Sequence, residues 1–225
     1  MIAMRGRRGF AGVTMCFACL ALLMSIIVMG CGKSEQARPS DESKPAPVTR
    51  AGENEVLVVI ANADFADGEY SAVEAALEGA GYRVVVANSS GRESVGSQNT
   101  RVKPDITIGQ VNAADYAGVV LIGGPGAEEY FDSAQLQAVA GGAVNGGEVV
   151  AAICMAPVIL ANAGLLRGRK GTVFPGEKGR LEAGGCVIVN EPVVVDGKMI
   201  TADGPQSARP FADAVVKALK EKEGT

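Results

Sequence analysis

Residues 148 to 157 read Glu148-Val-Val-Ala-Ala-Ile-Cys-Met-Ala-Pro157, which predicts a buried strand followed directly by the start of a helix. The strand covers Glu148 to Ile153, and its apolar run is typical of a strand buried on both faces of a parallel sheet. Pro157 suits the first turn of a helix, because its missing amide hydrogen would have no intrahelical partner there. Cys154 therefore stands at a sharp strand-to-helix turn, and the alanines two positions to either side leave room for it.

The chain before this turn has the order strand, helix, strand. Val56 to Ile60 is a continuous run of β-branched and apolar residues, and Tyr82 to Ala87 is a second one. Between them the sequence predicts a helix, capped by Asp67 and ended by Gly81. Its inner face carries apolar residues at helical spacing: Tyr70, Val73, Leu77 and Ala80. This order is the unit of a parallel sheet, so we expect an α/β fold with a mainly parallel sheet.

Further elements complete one domain, expected over residues 55 to 225. The sequence predicts a strand at Gly118 to Ile122, a helix at Ser133 to Val144, a hairpin of Val193 to Val195 with Lys198 to Thr201, and a closing helix at Gln206 to Glu221. The hairpin is expected because Asp196-Gly197 is a strong turn signal. Residues 88 to 116 are polar, and a short strand pair is predicted there around 101–102 and 106–108.

The composition excludes several classes of function. The 225 residues include 21 Lys and Arg against 25 Asp and Glu, without a basic stripe, so nucleic acid is not expected as a partner. Histidine is absent, which removes the usual general base at neutral pH and the commonest metal ligand. The cysteines are unpaired in sequence, so no metal site is predicted. Gly123-Gly-Pro-Gly126 lacks the spacing of a dinucleotide-binding loop, and no cofactor is predicted.

The first 30 residues have the features of a signal peptide. Three arginines lie within residues 1 to 10, and residues 11 to 30 are uncharged and largely apolar. The junction Val28-Met-Gly-Cys31 resembles a bacterial lipoprotein signal, which implies a lipid on Cys31, attachment to a membrane of the cell envelope, and a domain outside the cytoplasm. The length of the apolar run keeps an uncleaved transmembrane anchor open as the alternative. Residues 31 to 54 are polar and rich in proline, as in a flexible tether.

The predicted sheet brings several chemical groups to one edge. Ligands bind beyond the carboxyl ends of the strands in an open parallel sheet, so the loops after three strands are expected to converge. These loops hold Glu69, Gly123 with Gly124, and Cys154. The glycine amides can approach an oxyanion, and a carboxyl beside a thiolate is pushed toward its protonated form. The helix start after Cys154 favours the thiolate and predicts a lowered thiol pKa.

Each of these residues also has a plain structural interpretation when taken singly. Cys154 resembles a small buried core cysteine, Glu69 a solvated glutamate at a helix start, and Gly123-Gly-Pro-Gly126 an ordinary turn. Their order and their placement after successive strands favour the functional interpretation.

Several segments together resemble the ThiJ/PfpI family over about residues 55 to 220. They are Asp67-Gly-Glu69-Tyr70, Leu121-Ile-Gly-Gly-Pro-Gly126, Ala152-Ile-Cys-Met-Ala-Pro157, Ala163-Gly-Leu-Leu-Arg-Gly-Arg-Lys170 and Val195-Asp-Gly-Lys-Met-Ile-Thr201. The resemblance implies a flavodoxin-like three-layer sandwich, with Cys154 as nucleophile and Glu69 as its protonated partner. It also implies an oxyanion site from the amides near Gly124 and Met155. Members of the family commonly form dimers or larger rings, so a homodimer is one expected assembly.

The sequence departs from this family at two positions. In the protease-like branch a histidine follows the cysteine directly, whereas this chain has Met155 there. In the glyoxalase and deglycase branch a histidine precedes a proline further along, whereas this chain has Phe174-Pro175. A cysteine–histidine mechanism is therefore excluded, and proteolysis is not expected.

Three hypotheses for function remain at this point. The first is a cysteine-dependent enzyme acting on small electrophiles, aldehydes or amides, with Cys154 as nucleophile and Glu69 as acid and base. The second is a redox-responsive or ligand-binding envelope protein without turnover, in which an oxidant or ligand meets the same cysteine. The third is a structural site in which Cys154 forms a disulfide with Cys186, as an oxidising compartment would permit.

Overall fold

The computed structural model describes residues 54 to 223. The predicted signal peptide of residues 1 to 30, the lipid site at Cys31 and nearly all of the tether therefore lie outside the described residues. Between residues 54 and 223, no helix combines the length and the apolar character needed to cross a membrane.

Strands and helices alternate along the described chain. The strands are β1 (Glu55–Val59), β2 (Ala63–Phe65), β3 (Arg83–Asn88), β4 (Ser94–Gly96), β5 (Arg101–Val102), β6 (Ile106–Thr107), β7 (Gly118–Leu121), β8 (Val149–Ile153), β9 (Lys170–Gly171), β10 (Val187–Ile188), β11 (Val193–Asp196) and β12 (Met199–Ala202). The helices are α1 (Asp67–Gly79), α2 (Ala134–Gly146), α3 (Pro157–Asn162), α4 (Lys178–Ala183) and α5 (Ala208–Glu223). Short 3-10 turns occur at Ile108–Gln110, Ala113–Asp115, Pro125–Tyr130, Pro175–Glu177 and Pro205–Ser207.

The central sheet has seven strands in the order β11-β12-β8-β7-β1-β3-β6. β11 pairs antiparallel with β12, and every other neighbouring pair in this sheet is parallel. The connections β1-α1-β3 and β7-α2-β8 step in opposite directions along the sheet, so right-handed crossovers place α1 and α2 on opposite faces. Helix α5 packs on α1, and α3 packs on α2. The predicted three-layer α/β sandwich with a mainly parallel sheet is confirmed.

The hydrophobic core covers both faces of the central strands. Every residue of β8 is buried, and so is every residue of β1 after Glu55. Phe211, Val215 and Leu219 lie buried on the inner side of α5, as predicted. Each large apolar side chain so buried contributes about 1.5–3 kcal/mol to stability. The carboxyl ends of these strands are therefore firmly held, and they form a rigid base for the loops beyond them.

Asp67 does not cap α1, contrary to the prediction. It is the first residue of the helix, and the N-cap is Ala66, which makes no side-chain capping bond. The carboxylate of Asp67 instead accepts hydrogen bonds from the amides of Gln98 and Thr100, at 2.8 and 2.9 Å. The side chain is thus held by a loop far along the sequence, and it does not act as the N-cap of α1.

Within residues 88 to 116 the two predicted strands are present as β5 and β6, but the prediction that they pair with each other is wrong. β5 pairs antiparallel with β4, whereas β6 pairs parallel with β3 at the edge of the central sheet. Pro104, between β5 and β6, has no amide hydrogen and disfavours a tight ladder between them. β2, β4 and β5 form a separate small sheet.

Candidate functional site

The loops after β1, β7 and β8 meet at one point. Cys154 directly follows β8, Gly123 follows β7, and Glu69 lies in the first turn of α1. A Cβ atom placed on Gly123 would lie 2.5 Å from Cβ of Cys154 and 2.9 Å from Oε2 of Glu69. The structure therefore brings the residues predicted from the sequence into a single site.

Cys154 has a left-handed backbone conformation, with φ of 62°. Such a conformation costs a non-glycine residue about 1–3 kcal/mol and persists only where the surroundings hold it. Two hydrogen bonds hold this residue: its amide donates to the carbonyl of Ala202 at 2.9 Å, and its carbonyl accepts from the amide of Phe174 at 2.8 Å. The turn has the strained strand-to-helix form of a nucleophile elbow.

Glu69 is a fully buried carboxyl group. Its Oε2 accepts a hydrogen bond from the amide of Gly123 at 3.1 Å, whereas Oε1 has no hydrogen-bond partner among the described residues. Burial raises the pKa of this carboxyl to about 7, although the Gly123 amide and the thiol of Cys154 both act to lower it. Near neutral pH both protonation states of Glu69 are therefore populated, as an acid and base catalyst requires.

The thiol of Cys154 is only 6% exposed, beside that carboxyl. Burial, followed by the negative charge of Glu69, raises the pKa of the thiol to about 12. Hydrogen bonds from the amides of Gly124 and Met155 act to lower the pKa without offsetting the other effects. The prediction of a lowered thiol pKa is therefore wrong, because desolvation and a neighbouring carboxylate outweigh the start of a six-residue helix. The thiol and Glu69 form a coupled pair that resists carrying two negative charges.

The two glycines after β7 have different roles. The amide of Gly123 donates to Glu69, so it positions that carboxyl and is not available to an oxyanion, contrary to the prediction. Gly124 has φ of 102°, and a Cβ there would lie 2.5 Å from the amide nitrogen of Ala66. Only glycine fits this position. The amides of Gly124 and Met155, which contact the sulfur, are the candidate donors to an oxyanion.

A pocket of about 470 Å³ contains Cys154 and Glu69 in its wall. Most of the remaining wall is apolar and includes Met155, Phe174, Pro125 and Pro205. Phe174 stands before Pro175, where the resemblance drawn from the sequence would imply a histidine. The pocket therefore combines one thiol and two carboxyl groups, those of Asp67 and Glu69, with a largely apolar surround.

One wall of the pocket was missed by reasoning from sequence. Ser97 and Gln98 line the pocket, and their loop is tied to α1 by the hydrogen bonds to Asp67. A Cβ on Gly96 would lie 2.5 Å from Oδ1 of Asp67, so the loop and the carboxylate are in close contact. Gly96 and Asn99 together are a turn signal in the sequence. Nothing in the sequence connects that turn to Asp67.

Within the described residues the cysteines are not part of a disulfide or a metal cluster. Cys154 and Cys186 are both free and buried, and the sulfur of Cys186 donates to the carbonyl oxygen of Arg169 at 3.5 Å. The hypothesis of a Cys154–Cys186 disulfide is therefore wrong. Between residues 54 and 223, no group of three or more Cys, Asp or Glu side chains is placed to hold a metal ion.

The fold and this site define a class: single-domain α/β sandwiches with a cysteine at a nucleophile elbow and a buried glutamate beside it. The sequence model of the DJ-1/PfpI family matches residues 54–218, and the chain belongs to that family. The resemblance of the sequence segments is thereby confirmed.

Three similar proteins illustrate the relationship. A deglycase of Pyrococcus horikoshii is 34% identical over 165 residues, which cover 73% of this chain and 99% of that protein. The crystal structure of a ThiJ/PfpI domain protein from Brachyspira murdochii has a TM-score of 0.74 and 30% identity, covering 76% of this chain and 98% of the other. The structure of oxidized DJ-1 of Toxoplasma gondii has a TM-score of 0.67 and 34% identity, and the match covers 75% of this chain and 92% of the other.

Proposed function

We propose that this protein is a cysteine-dependent enzyme acting on small electrophiles, with aldehydes as its main substrates. The observation that carries the proposal is the free thiol of Cys154 in the wall of a pocket, in contact with a buried glutamate. The pKa of about 7 at Glu69 suits proton transfer in both directions near neutral pH. The P. horikoshii relative named deglycase supports an activity of this kind.

In the first step the sulfur of Cys154 adds to the carbonyl carbon of the aldehyde. The carboxylate of Glu69 accepts the thiol proton as the carbon–sulfur bond forms, because a thiol with a pKa of about 12 needs a base at neutral pH. The electron pair of the carbonyl π bond moves to oxygen, which the amides of Gly124 and Met155 stabilise. Glu69 then returns the proton to that oxygen, and the product is a neutral hemithioacetal.

With a 2-oxoaldehyde the hemithioacetal can proceed to a 2-hydroxy acid. Glu69 removes the hydrogen of the hemithioacetal carbon as a proton. The electron pair left behind forms a double bond to the neighbouring carbonyl carbon, whose oxygen takes up the hydroxyl proton, and the result is an enediolate anion. Glu69 then protonates the neighbouring carbon, which leaves a thioester on Cys154. Water attacks the thioester, the carbon–sulfur bond breaks, and the thiol is regenerated. The net reaction adds one water molecule to the 2-oxoaldehyde and gives the 2-hydroxy acid. It needs no external oxidant.

Turnover of methylglyoxal by the full-length chain, purified in detergent, tests this proposal. Cys154→Ser is expected to lower kcat/KM on the order of 10³-fold or more, because the nucleophile is lost. Cys186→Ser is the matched control, since that thiol does not line the pocket. Full activity in Cys154→Ser, or no turnover by the wild type across a panel of aldehydes and amides, would contradict the proposal.

A second function, without turnover, is supported by the absence of any histidine from the sequence. In the described wall of the pocket, Glu69 is then the one titrating group beside the thiol. In this alternative the domain senses oxidants or binds ligands and performs no turnover. Peroxide would oxidise Cys154 to sulfenic and then sulfinic acid while being reduced to water. The crystal structure of Toxoplasma gondii DJ-1 is of an oxidized form, which supports sensitivity to oxidants as a property to test here. Mass spectrometry after mild peroxide should find oxidation at Cys154 and not at Cys186, and an unmodified Cys154 excludes the oxidant-sensing form of this alternative.

We further propose that a lipid on Cys31 holds the domain at a membrane of the cell envelope, outside the cytoplasm. The support is the signal pattern of residues 1 to 31. Expressed in a bacterium fed a labelled fatty acid, the wild-type chain should carry label and Cys31→Ser should not. Equal labelling of the two chains, or none in the wild type, would contradict the anchor.

A further inference from the structure

We infer that the pocket selects neutral aldehydes that carry an aromatic or branched apolar group, over small or anionic carbonyl compounds. This inference rests on the proposed function, because it names the substrates of that same site. Three observations carry it: the volume of the pocket, an exposed aromatic ring in its wall, and the sign of the charges that face it.

The pocket is larger than the smallest aldehydes require. Its volume of about 470 Å³ falls within the range of about 300–1,000 Å³ in which proteins bury ligands of drug size. A three-carbon aldehyde with its carbonyl at Cys154 would leave most of this space to water. The side chains around that space are chiefly apolar, so filling it with an apolar group releases water from apolar surface.

Phe174 is the one aromatic residue in the described wall of the pocket. Its side chain is 42% exposed, although its backbone amide is fixed to the carbonyl of Cys154 at 2.8 Å. The other large hydrophobic residues with comparable exposure in the described chain, Val187 and Val195, do not line the pocket. An aromatic ring of a substrate can stack on the exposed ring of Phe174.

The charged side chains in the pocket wall are both carboxyls, Asp67 and Glu69. Burial raises the pKa of Asp67, but hydrogen bonds from Thr100 and Gln98 outweigh it, so the pKa lies below its ordinary value and the group is negative at neutral pH. No Lys or Arg belongs to the described wall. A substrate carboxylate would therefore meet like charge without a compensating cation.

The experiment compares kcat/KM of the full-length protein for three 2-oxoaldehydes: phenylglyoxal, methylglyoxal and the anionic 4-carboxyphenylglyoxal. We expect phenylglyoxal to exceed methylglyoxal by about tenfold or more, and 4-carboxyphenylglyoxal to fall below phenylglyoxal. Phe174→Ala should lower the ratio of kcat/KM for phenylglyoxal to kcat/KM for methylglyoxal at least about tenfold. Because the same two aldehydes are used with both proteins, differences in their intrinsic reactivity cancel in this comparison. Val187→Ala, which removes an exposed apolar side chain outside the pocket, should leave the ratio unchanged.

Binding without turnover provides an independent measurement. Acetophenone should protect Cys154 from alkylation at lower concentration than acetone or pyruvate does, and Phe174→Ala should remove that difference. If methylglyoxal is turned over and the phenylglyoxal-to-methylglyoxal ratio of kcat/KM is the same in Phe174→Ala as in the wild type, this inference is overturned and the proposed function stands. No turnover of any aldehyde, together with selective protection by acetophenone, would overturn the proposed function and support the selectivity of the pocket.

Discussion

The amide of Gly123 donates to Oε2 of Glu69 at 3.1 Å, across 54 positions of sequence. The bond links the loop after β7 to the first turn of α1, and it fixes one oxygen of a fully buried carboxyl. The other oxygen, Oε1, has no hydrogen-bond partner among the described residues. Gly123 therefore determines where the acid and base group stands relative to Cys154.

Gly123→Ala should disrupt the site. The added Cβ would lie 2.5 Å from Cβ of Cys154 and 2.6 Å from the carbonyl of Ile153, so the backbone must move. We expect the free energy of unfolding, measured in urea, to fall by about 1–3 kcal/mol. The alkylation rate of Cys154 should change as well, because Glu69 is displaced.

Gly141→Ala is the matched control for that substitution. Gly141 lies within α2, and an added Cβ meets nothing within 4 Å. Alanine in a helix interior is more favourable than glycine by about 1 kcal/mol, so this variant should be as stable as the wild type or more stable. Equal stability of Gly123→Ala and the wild type would contradict the close contact at Gly123.

Glu69 should make the protein less stable as pH rises from about 4.5 to 7. Its pKa is raised from 4.5 to about 7, so in that window the folded state binds more protons than the unfolded state. The free energy of unfolding therefore decreases with rising pH, by about 3 kcal/mol in total from this group. At pH values more than about one unit above 7 its contribution is constant.

Urea unfolding at pH 5 and pH 8 measures this effect. Glu69→Gln removes the titration, so the variant should gain stability relative to the wild type as pH rises. Glu78→Gln, an exposed position on the same helix, is the control and should follow the wild type at both pH values. A constant difference between wild type and Glu69→Gln at the two pH values would show that the pKa of Glu69 is not raised.

Asp67→Asn should loosen the wall of the pocket formed by Ser97 and Gln98. The asparagine presents an NH₂ group where the carboxylate accepted two amide hydrogen bonds, and hydrogen bonds to charged groups contribute about 1.5–3 kcal/mol each. We expect faster hydrogen exchange at the amides of Gln98 and Thr100 and a lower free energy of unfolding. Asp64→Asn, at an exposed position with φ of 56°, is the control and should leave both amides protected. Unchanged protection in Asp67→Asn would contradict the role of this carboxylate.

The sequence was sufficient for the parts of the fold that follow from hydrophobic periodicity. The buried runs of β1 and β8 and the inner face of α5 were each predicted, because burial on both faces or at helical spacing leaves a direct pattern in the residues. The hairpin of β11 and β12 was also predicted, although Asp196 pairs with Met199 and the turn residues are Gly197 and Lys198. The convergence of Glu69 and Cys154 followed from the parallel order of the strands.

What the sequence could not provide depends on contacts between distant segments. The hydrogen bonds that the amides of Gln98 and Thr100 donate to the carboxylate of Asp67 join residues 31 and 33 positions apart, and no local pattern encodes them. The pKa of the Cys154 thiol was predicted in the wrong direction, because the helix start is visible in the sequence whereas desolvation is not. The amide of Gly123 donates to Glu69 and not to an oxyanion, and this too could be seen only from the positions of both groups.

The central claim is that Glu69 takes the proton of Cys154, and the pH dependence of Cys154 alkylation tests it most directly. Iodoacetamide modification of the full-length chain is followed at the Cys154 peptide by mass spectrometry, in wild type and in Glu69→Gln. We predict a wild-type rate that rises with an apparent pKa near 7 and then levels off, as the carboxylate form of Glu69 becomes populated. In Glu69→Gln that step should vanish, and the rate should rise only in the alkaline range, with a thiol pKa below the wild-type value of about 12 because the neighbouring negative charge is gone. Identical profiles for the two proteins, each following the ordinary thiol pKa of 9.0, would contradict the coupling of these two residues.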